Sequence, residues 1–200
     1  MTSYPPAGTN QGETRAGFRF RGGHPALDLA ATLAARLKPE PRELLGSTSD
    51  LDRWLAAAGF AKRGSGASPQ DLEVARRLRE AIYQVAVALI KGGAAPARSL
   101  STLNAIAANR PATPRLARDG SFSLAGDARA SLATLAHEAI RLFGGEQGER
   151  VRQCAGDGCA LLFLDTSRSG DRRWCSMTAC GNRAKVAEYR RRQKRGVGAS

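Results

Sequence analysis

Cys154-Ala155-Gly156-Asp157-Gly158-Cys159 and, fifteen residues further on, Cys175-Ser176-Met177-Thr178-Ala179-Cys180-Gly181-Asn182-Arg183 are the stretches that decide how this chain is built. Between them they hold all four of its cysteines. Each pair has four residues between its thiols, and the spacer is long enough to fold back. Zinc is held tetrahedrally by four thiolates delivered as two such pairs. Gly156 and Gly158 give the first pair a permissive backbone. Residues 160–164 are apolar enough for a short strand, and residues 165–171 have turn chemistry. Arg172-Arg173-Trp174 then returns the chain to Cys175, so the spacer reads as a hairpin.

Past Cys180 the chain turns strongly basic. The last fifty residues hold 11 of the 31 Lys and Arg and 4 of the 18 Asp and Glu, which is seven of the thirteen net positive charges. Helix-forming composition from about residue 178 to 195, stopped at Gly196, predicts a basic helix opened by the last cysteine. Its dipole favours Cys180 as thiolate. Four thiolates on one divalent zinc leave a net charge of −2, which Arg183 and Arg173 are placed to offset. Cys154, Cys159, Cys175 and Cys180 fill every position of one zinc ion, so the metal reads as structural. A disulfide framework is the alternative for four cysteines, but the N-terminus has no signal-peptide stretch and the cytoplasm is the expected compartment.

Asn182, Arg183, Lys185, Arg190, Arg191, Arg192, Lys194 and Arg195 face only Glu188 as a counter-charge on that helix. Arginine forks fit phosphates and guanine edges, and asparagine can read adenine. Asn182, Arg183 and Lys185 are therefore the candidates for base or near-backbone contact with DNA. Arg190, Arg191, Arg192, Lys194 and Arg195 are the candidates for electrostatic grip. The plainer reading has the cations serving the helix dipole, with Val186 and Tyr189 packed on the zinc module.

The rest of the chain reads as mainly helical. Residues 1–16 are too polar to bury anything and read as a disordered tail. Phe18 and Phe20 alternate with arginines as a short strand. A helix is expected from Leu27 to Pro39, and another from a Ser49/Asp52 capping box to Gly59, with Leu51, Trp54, Leu55 and Ala58 inward. Ser68-Pro69 opens the clearest helix, with Leu72, Ala75, Leu78, Ile82, Val85 and Leu89 on one stripe. A helix over 97–108 should bury Leu100, Leu103 and Ile106. A hairpin turning tightly at Asp119-Gly120 follows. Asp127 caps a last helix burying Leu132, Leu135, Ala136, Ile140 and Phe143, and Gly144, Gly145 and Gly148 read as a linker. The expected architecture is α+β: a mainly helical domain with small hairpins (17–147), then a four-cysteine module of knuckle, hairpin and basic helix (148–196). With 42% apolar residues a core is available, and no run of eighteen apolar residues spans a membrane.

The C-terminal stretch resembles the CGNR-type zinc finger. The matching residues are Cys154, Cys159, Phe163-Leu164-Asp165-Thr166-Ser167, Arg172-Arg173-Trp174-Cys175-Ser176-Met177, and Cys180-Gly181-Asn182-Arg183 with Lys185 and Val186. Upstream, Leu27-Asp28-Leu29, Thr32, Leu44-Leu45, Leu51, Trp54-Leu55, residues 78–83 and Leu103-Asn104-Ala105 resemble the ABATE domain, which commonly precedes this finger. Ala31 stands where that family usually has Asn. The resemblance implies a stress-related transcription regulator whose finger binds DNA. The helical domain would then sense a small-molecule effector or mediate homodimerisation. A reading of another class is a zinc-stapled interaction module whose basic helix binds an acidic protein. No enzyme is expected: the sequence offers no nucleophile–base set beyond a loose His24/Asp28 pairing, no phosphate-cradling loop and no open metal position.

Overall fold

A computed structural model describes residues 13–61 and 65–197, the side chains of 194–197 excepted. Most of the expected tail (1–12) and part of the loop before Ser68 (62–64) lie outside the described residues. The tail is shorter than the sequence suggests, because Glu13–Arg15 (β1) pairs antiparallel with Phe18–Phe20 (β2). Ala16 and Gly17, both at positive φ, close the turn. Arg15 then lies 4.1 Å above the Phe20 ring and donates to the carbonyl of Ala57.

The helix expected over 27–39 is only Pro25–Ala30 (α1). His24 caps it through Nδ1, which accepts from the Ala26 N–H, with proline at the first helical position. It stops early because the Thr32 hydroxyl donates to the Leu29 carbonyl and Ala35 turns the chain at φ +54°. Leu33–Ala34 (β3) can then pair with Arg42–Glu43 (β4), which brings Glu43 onto Arg79. Leu37, expected on the helix, is left exposed.

Thr48–Ala57 (α2) is opened by Ser47 and Asp50, not by Ser49 and Asp52. Asp52 instead accepts from the Ser65 hydroxyl and the Ala67 N–H, tying down the next loop. Leu51, Trp54, Leu55 and Ala58 are buried as expected. Pro69–Ile90 (α3), boxed by Ser68 and Asp71, is the axis of the fold. It packs against α1, α2, Ala97–Ala107 (α4) and Ala128–Gly144 (α5). Its stripe from Leu72 to Val85 is buried, while Leu89 emerges at the far end.

On α4 the buried face is Ser99, Leu103 and Ile106, with Leu100 on the rim. Ser99 can take the inner position because its hydroxyl donates to Gln84 Oε1 on α3. On α5, Ala139 and Leu142 are buried and Ile140 faces out. Between these helices Thr113–Leu116 (β5) pairs with Phe122–Ala125 (β6). Their loop is not a two-residue primed turn. Ala117 pairs with Ser121 and the Gly120 N–H bonds back to Ala117, with Gly120 left-handed at φ +76°, as in a three-residue loop.

The glycines after α5 are no slack linker. Glu146–Arg150 forms a single 3-10 turn, and a Cβ on Gly148 would come within 2.8 Å of the Phe143 carbonyl. Val151–Gln153 (β7) then pairs with Leu162–Leu164 (β8). Val151, Leu162 and Leu164 join the same apolar cluster as Leu27, Leu78, Ile82 and Leu135. By strand alternation Phe163 points the other way, into the cysteine cluster. The Leu164 N–H donates to the Gly22 carbonyl and Gln153 Nε2 to the Tyr83 hydroxyl. One core therefore runs across the position near residue 148 where the sequence suggests a division.

Candidate metal centre and basic helix

The strand expected early in the spacer forms as β8, but it pairs back to β7 around the first cysteine pair and not forward to residues 172–174. β7 delivers Cys154, the chain loops through Gly156 and Gly158 to Cys159, and β8 returns. The Cys154 N–H bonds to the Leu161 carbonyl and the Cys159 N–H to that of Gly156. Gly158 is left-handed at φ +64°, which favours glycine, and a Cβ on Gly156 would come within 3.1 Å of the Cys180 sulfur and crowd the cluster.

The spacer is organised by Asp165, a fully buried carboxylate. Oδ1 accepts from the N–H and hydroxyl of Ser167, and Oδ2 accepts from the N–H of Arg172. Burial alone would raise its pKa, but these donors hold it below the usual carboxylate range. Arg172 then stacks 4.6 Å over the Phe163 ring and donates to the carbonyls of Trp174 and Cys175. Cys175 is thereby fixed beside Cys154, whose sulfur accepts its N–H at 3.3 Å. From the sequence, Asp165 stands in the stretch that resembles the CGNR finger and reads as the start of a turn, and nothing in its neighbours signals its burial.

The second pair closes through Met177–Gly181, one wide π-type turn that presents Cys180. Ser176 caps it by accepting the Ala179 N–H. All four sulfurs lie within 4.8 Å of one another, and those of Cys175 and Cys180 are 3.7 Å apart. A tetrahedral zinc with bonds of about 2.3 Å requires sulfurs separated by about 3.8 Å. Three of the cysteines are buried and Cys159 is half-buried.

The four sulfurs lie close enough to hydrogen-bond to one another as thiols. Cys154 is held far below the ordinary thiol range by hydrogen bonds from Cys159 and then Cys175, and Cys159 is correspondingly pushed up to about 11. Cys175 is pushed up as well, through its bonds to Cys154 and Cys159. A divalent ion replaces those protons and neutralises half of the resulting charge. The Gly156 and Cys175 N–H groups on Cys154, and Arg183 Nη2 at 3.2 Å from the Cys180 sulfur, offset what remains. That sulfur contact in turn holds Arg183 more firmly charged. Arg173, the other expected neighbour, stacks on Trp174 instead, because its backbone carbonyl is tied to the Ala155 N–H. The donor set fits one closed, structural zinc ion.

Asn182–Val197 (α6) leaves this centre, starting four residues later than the sequence suggests because the π-type turn takes up Cys180. Val186 and Tyr189 are 48% and 64% exposed, so they do not pack on the zinc module. Lys185, Arg190, Arg191 and Arg192 are exposed, Arg192 pairing with Glu188. Lys194 and Arg195 lie on the helix, with side chains outside the described residues. His24 and Asp28 are engaged separately: His24 caps α1 and lies 3.9 Å from Glu138, and Asp28 accepts the Gly22 N–H. No helix among the described residues is long and apolar enough to cross a membrane.

A four-cysteine module fit for one structural zinc, fused through a shared core to a helical body and followed by an exposed basic helix, defines the class of protein. Comparison with family models places it further. Residues 23–146 match the ABATE model, described as "Putative stress-induced transcription regulator", and residues 150–193 match the CGNR zinc finger. The chain belongs to the ABATE family and carries a CGNR zinc finger. A search of curated proteins finds no match to it.

Proposed function

We propose that this protein is a DNA-binding transcription regulator of the cytoplasm and not an enzyme, with the zinc site aiming α6 at duplex DNA. The observation that carries this reading is the state of α6. It is anchored at one end by Cys180 and Arg183, leaves Arg190 and Arg191 exposed with no acid paired to them among the described residues, and over residues 182–193 exposes every side chain but half-buried Ala184. A helix with that much unneutralised charge matches a polyanion. Asn182, Arg183 and Lys185 stand at the zinc-proximal end, where contact with bases or the nearest backbone would fall. Arg190, Arg191 and Arg192, with Lys194 and Arg195 beyond them, would grip phosphates. The helical body would supply the regulatory input, by sensing a ligand or by pairing with a second copy. A shallow groove of about 480 Å³ at the start of α3, lined by residues such as Pro69, Val74 and Arg129, offers a concave surface for it.

The test is a salt titration of duplex-DNA binding by the zinc-loaded full chain. Replacing Arg190, Arg191 and Arg192 with Ala should weaken binding and flatten the log–log salt slope by about 0.9 for each phosphate no longer neutralised. Absence of DNA binding, or an unchanged slope in the triple variant, would overturn the reading.

A further inference from the structure

The arginines of α6 are its most conspicuous residues, but they do not form its most distinctive face. At about 100° per residue, Asn182, Val186, Tyr189 and Gln193 fall within about 60° of arc. That stripe holds Val186 and Tyr189, the only large apolar side chains among the described ones on the helix, both well exposed. Gln193 Nε2 donates to the Tyr189 hydroxyl at 3.0 Å, which orients the amide along the stripe. Its carbonyl oxygen and second N–H remain for a partner. On one side of the stripe stands Arg190, and on the other stand Lys185 and Arg192.

Resting on the DNA-binding reading above, we propose that this stripe, and not the arginine run, reads DNA sequence: Asn182, Val186, Tyr189 and Gln193 face the base edges in the major groove, while the cations on either side hold the two phosphate walls. A helix about 10–12 Å across fits a groove about 12 Å wide, and a central reading strip with cations on both flanks matches a groove bounded by phosphates on both sides. A grip on phosphates alone has no use for exposed Val186 and Tyr189. The thymine C5-methyl group is the apolar feature of the groove floor and gives both a partner. Asn182 and Gln193 each pair a carbonyl acceptor with an N–H donor, the complement of adenine N6 and N7. The occupant is therefore duplex DNA rich in A·T pairs.

The test selects bound fragments from random duplex DNA with the zinc-loaded full chain and two variants. One carries Val186→Ala, Tyr189→Ala and Gln193→Ala, exposed helical positions at which alanine keeps the helix. The other carries Arg190→Ala, Arg191→Ala and Arg192→Ala. The full chain should enrich an A·T-containing motif. The stripe variant should lose preference for that motif by about 5- to 150-fold per base pair no longer read, yet keep the affinity and salt slope for unrelated duplex. The arginine variant should bind all duplexes more weakly and keep the motif. Deoxyuridine in place of thymidine in the motif should weaken the full chain and leave the stripe variant unaffected. Binding without any enriched motif, or a motif kept by the stripe variant, overturns this inference and leaves the DNA-binding reading standing. Failure to bind any duplex overturns the DNA-binding reading itself, and a stripe variant that merely shifts from dimer to monomer assigns the stripe to a second copy of the chain.

Discussion

Stripping the zinc should destabilise the helical body, not only the finger. β7 and β8 are three residues each, too short to hold together without support. They are joined through the eight residues that carry Cys154 and Cys159, so the metal closes their loop. Their inward side chains, Val151, Leu162 and Leu164, are at most 6% exposed and sit among α1 and α3 residues. Burying each contributes about 1.5–3 kcal/mol, so the three together contribute about 5–9 kcal/mol. A whole domain is stable by only about 5–15 kcal/mol. For a chain of this size each kcal/mol moves the thermal midpoint by about 2–4 °C, so even the lower figure corresponds to about 10–20 °C.

The assay is hydrogen exchange on the full chain, zinc-loaded and after chelation under reducing conditions, repeated with Cys175→Ser. Peptides from α1 and α3 should lose protection together with those from residues 151–197. If α1 and α3 keep full protection while residues 151–197 exchange freely, the shared core carries no coupling and the reasoning fails.

Other consequences follow from single side chains. Arg183→Ala should lower zinc affinity by about 10- to 100-fold in competition with a chromophoric chelator, with Arg183→Lys intermediate, and equal affinities would remove Arg183 from the metal site. Asp165→Ala leaves the N–H groups of Ser167 and Arg172 without their acceptor, and should cost about 2–4 kcal/mol in a denaturant melt and hasten zinc release. Asp28 is raised to about 7, chiefly by burial, so the folded state holds its proton more tightly than the unfolded chain does. Its effect on stability is therefore unfavourable and grows as pH rises from about 4 through about 7. Asp28→Asn keeps an acceptor for the Gly22 N–H, and the stability difference between variant and parent should increase across that window by up to a few kcal/mol. A difference that does not change with pH would mean Asp28 titrates normally.

What the sequence made legible followed from periodicity and from ligand chemistry. The α3 stripe is long enough for its 3.6-residue repeat to be unambiguous, and four thiols admit few alternatives to zinc. The misses share a physical cause. Strands of two or three residues are visible only where, as in Phe18-Arg19-Phe20, apolar and charged residues alternate, and β3 and β7 lack that pattern. Two overlapping Ser-x-x-Asp boxes before α2 are chemically equivalent, and only the loop that needs Asp52 decides between them. The alanine-rich run after Leu27 has helical composition, but the pairing of Glu43 with buried Arg79 outweighs its propensity. Asp165 stood out only through the family resemblance, and its role was not legible because it comes from a turn that closes in three dimensions.

The position of the metal follows from these same contacts. On one side of the zinc site the β7–β8 hairpin is fastened to the body by apolar burial, by Leu164 to Gly22 and by Gln153 to Tyr83. Tyr83 lies under the Arg36 guanidinium, which pairs with Glu80, and Arg79 joins Glu80 to Glu43. A continuous polar chain therefore runs from β4 through α3 to β7, one residue before Cys154. On the other side α6 is held through the turn that contains Cys180 and through Arg183. Body and helix thus meet at the four sulfurs, and the direction in which α6 points is fixed by thiolate geometry and not by packing of its own.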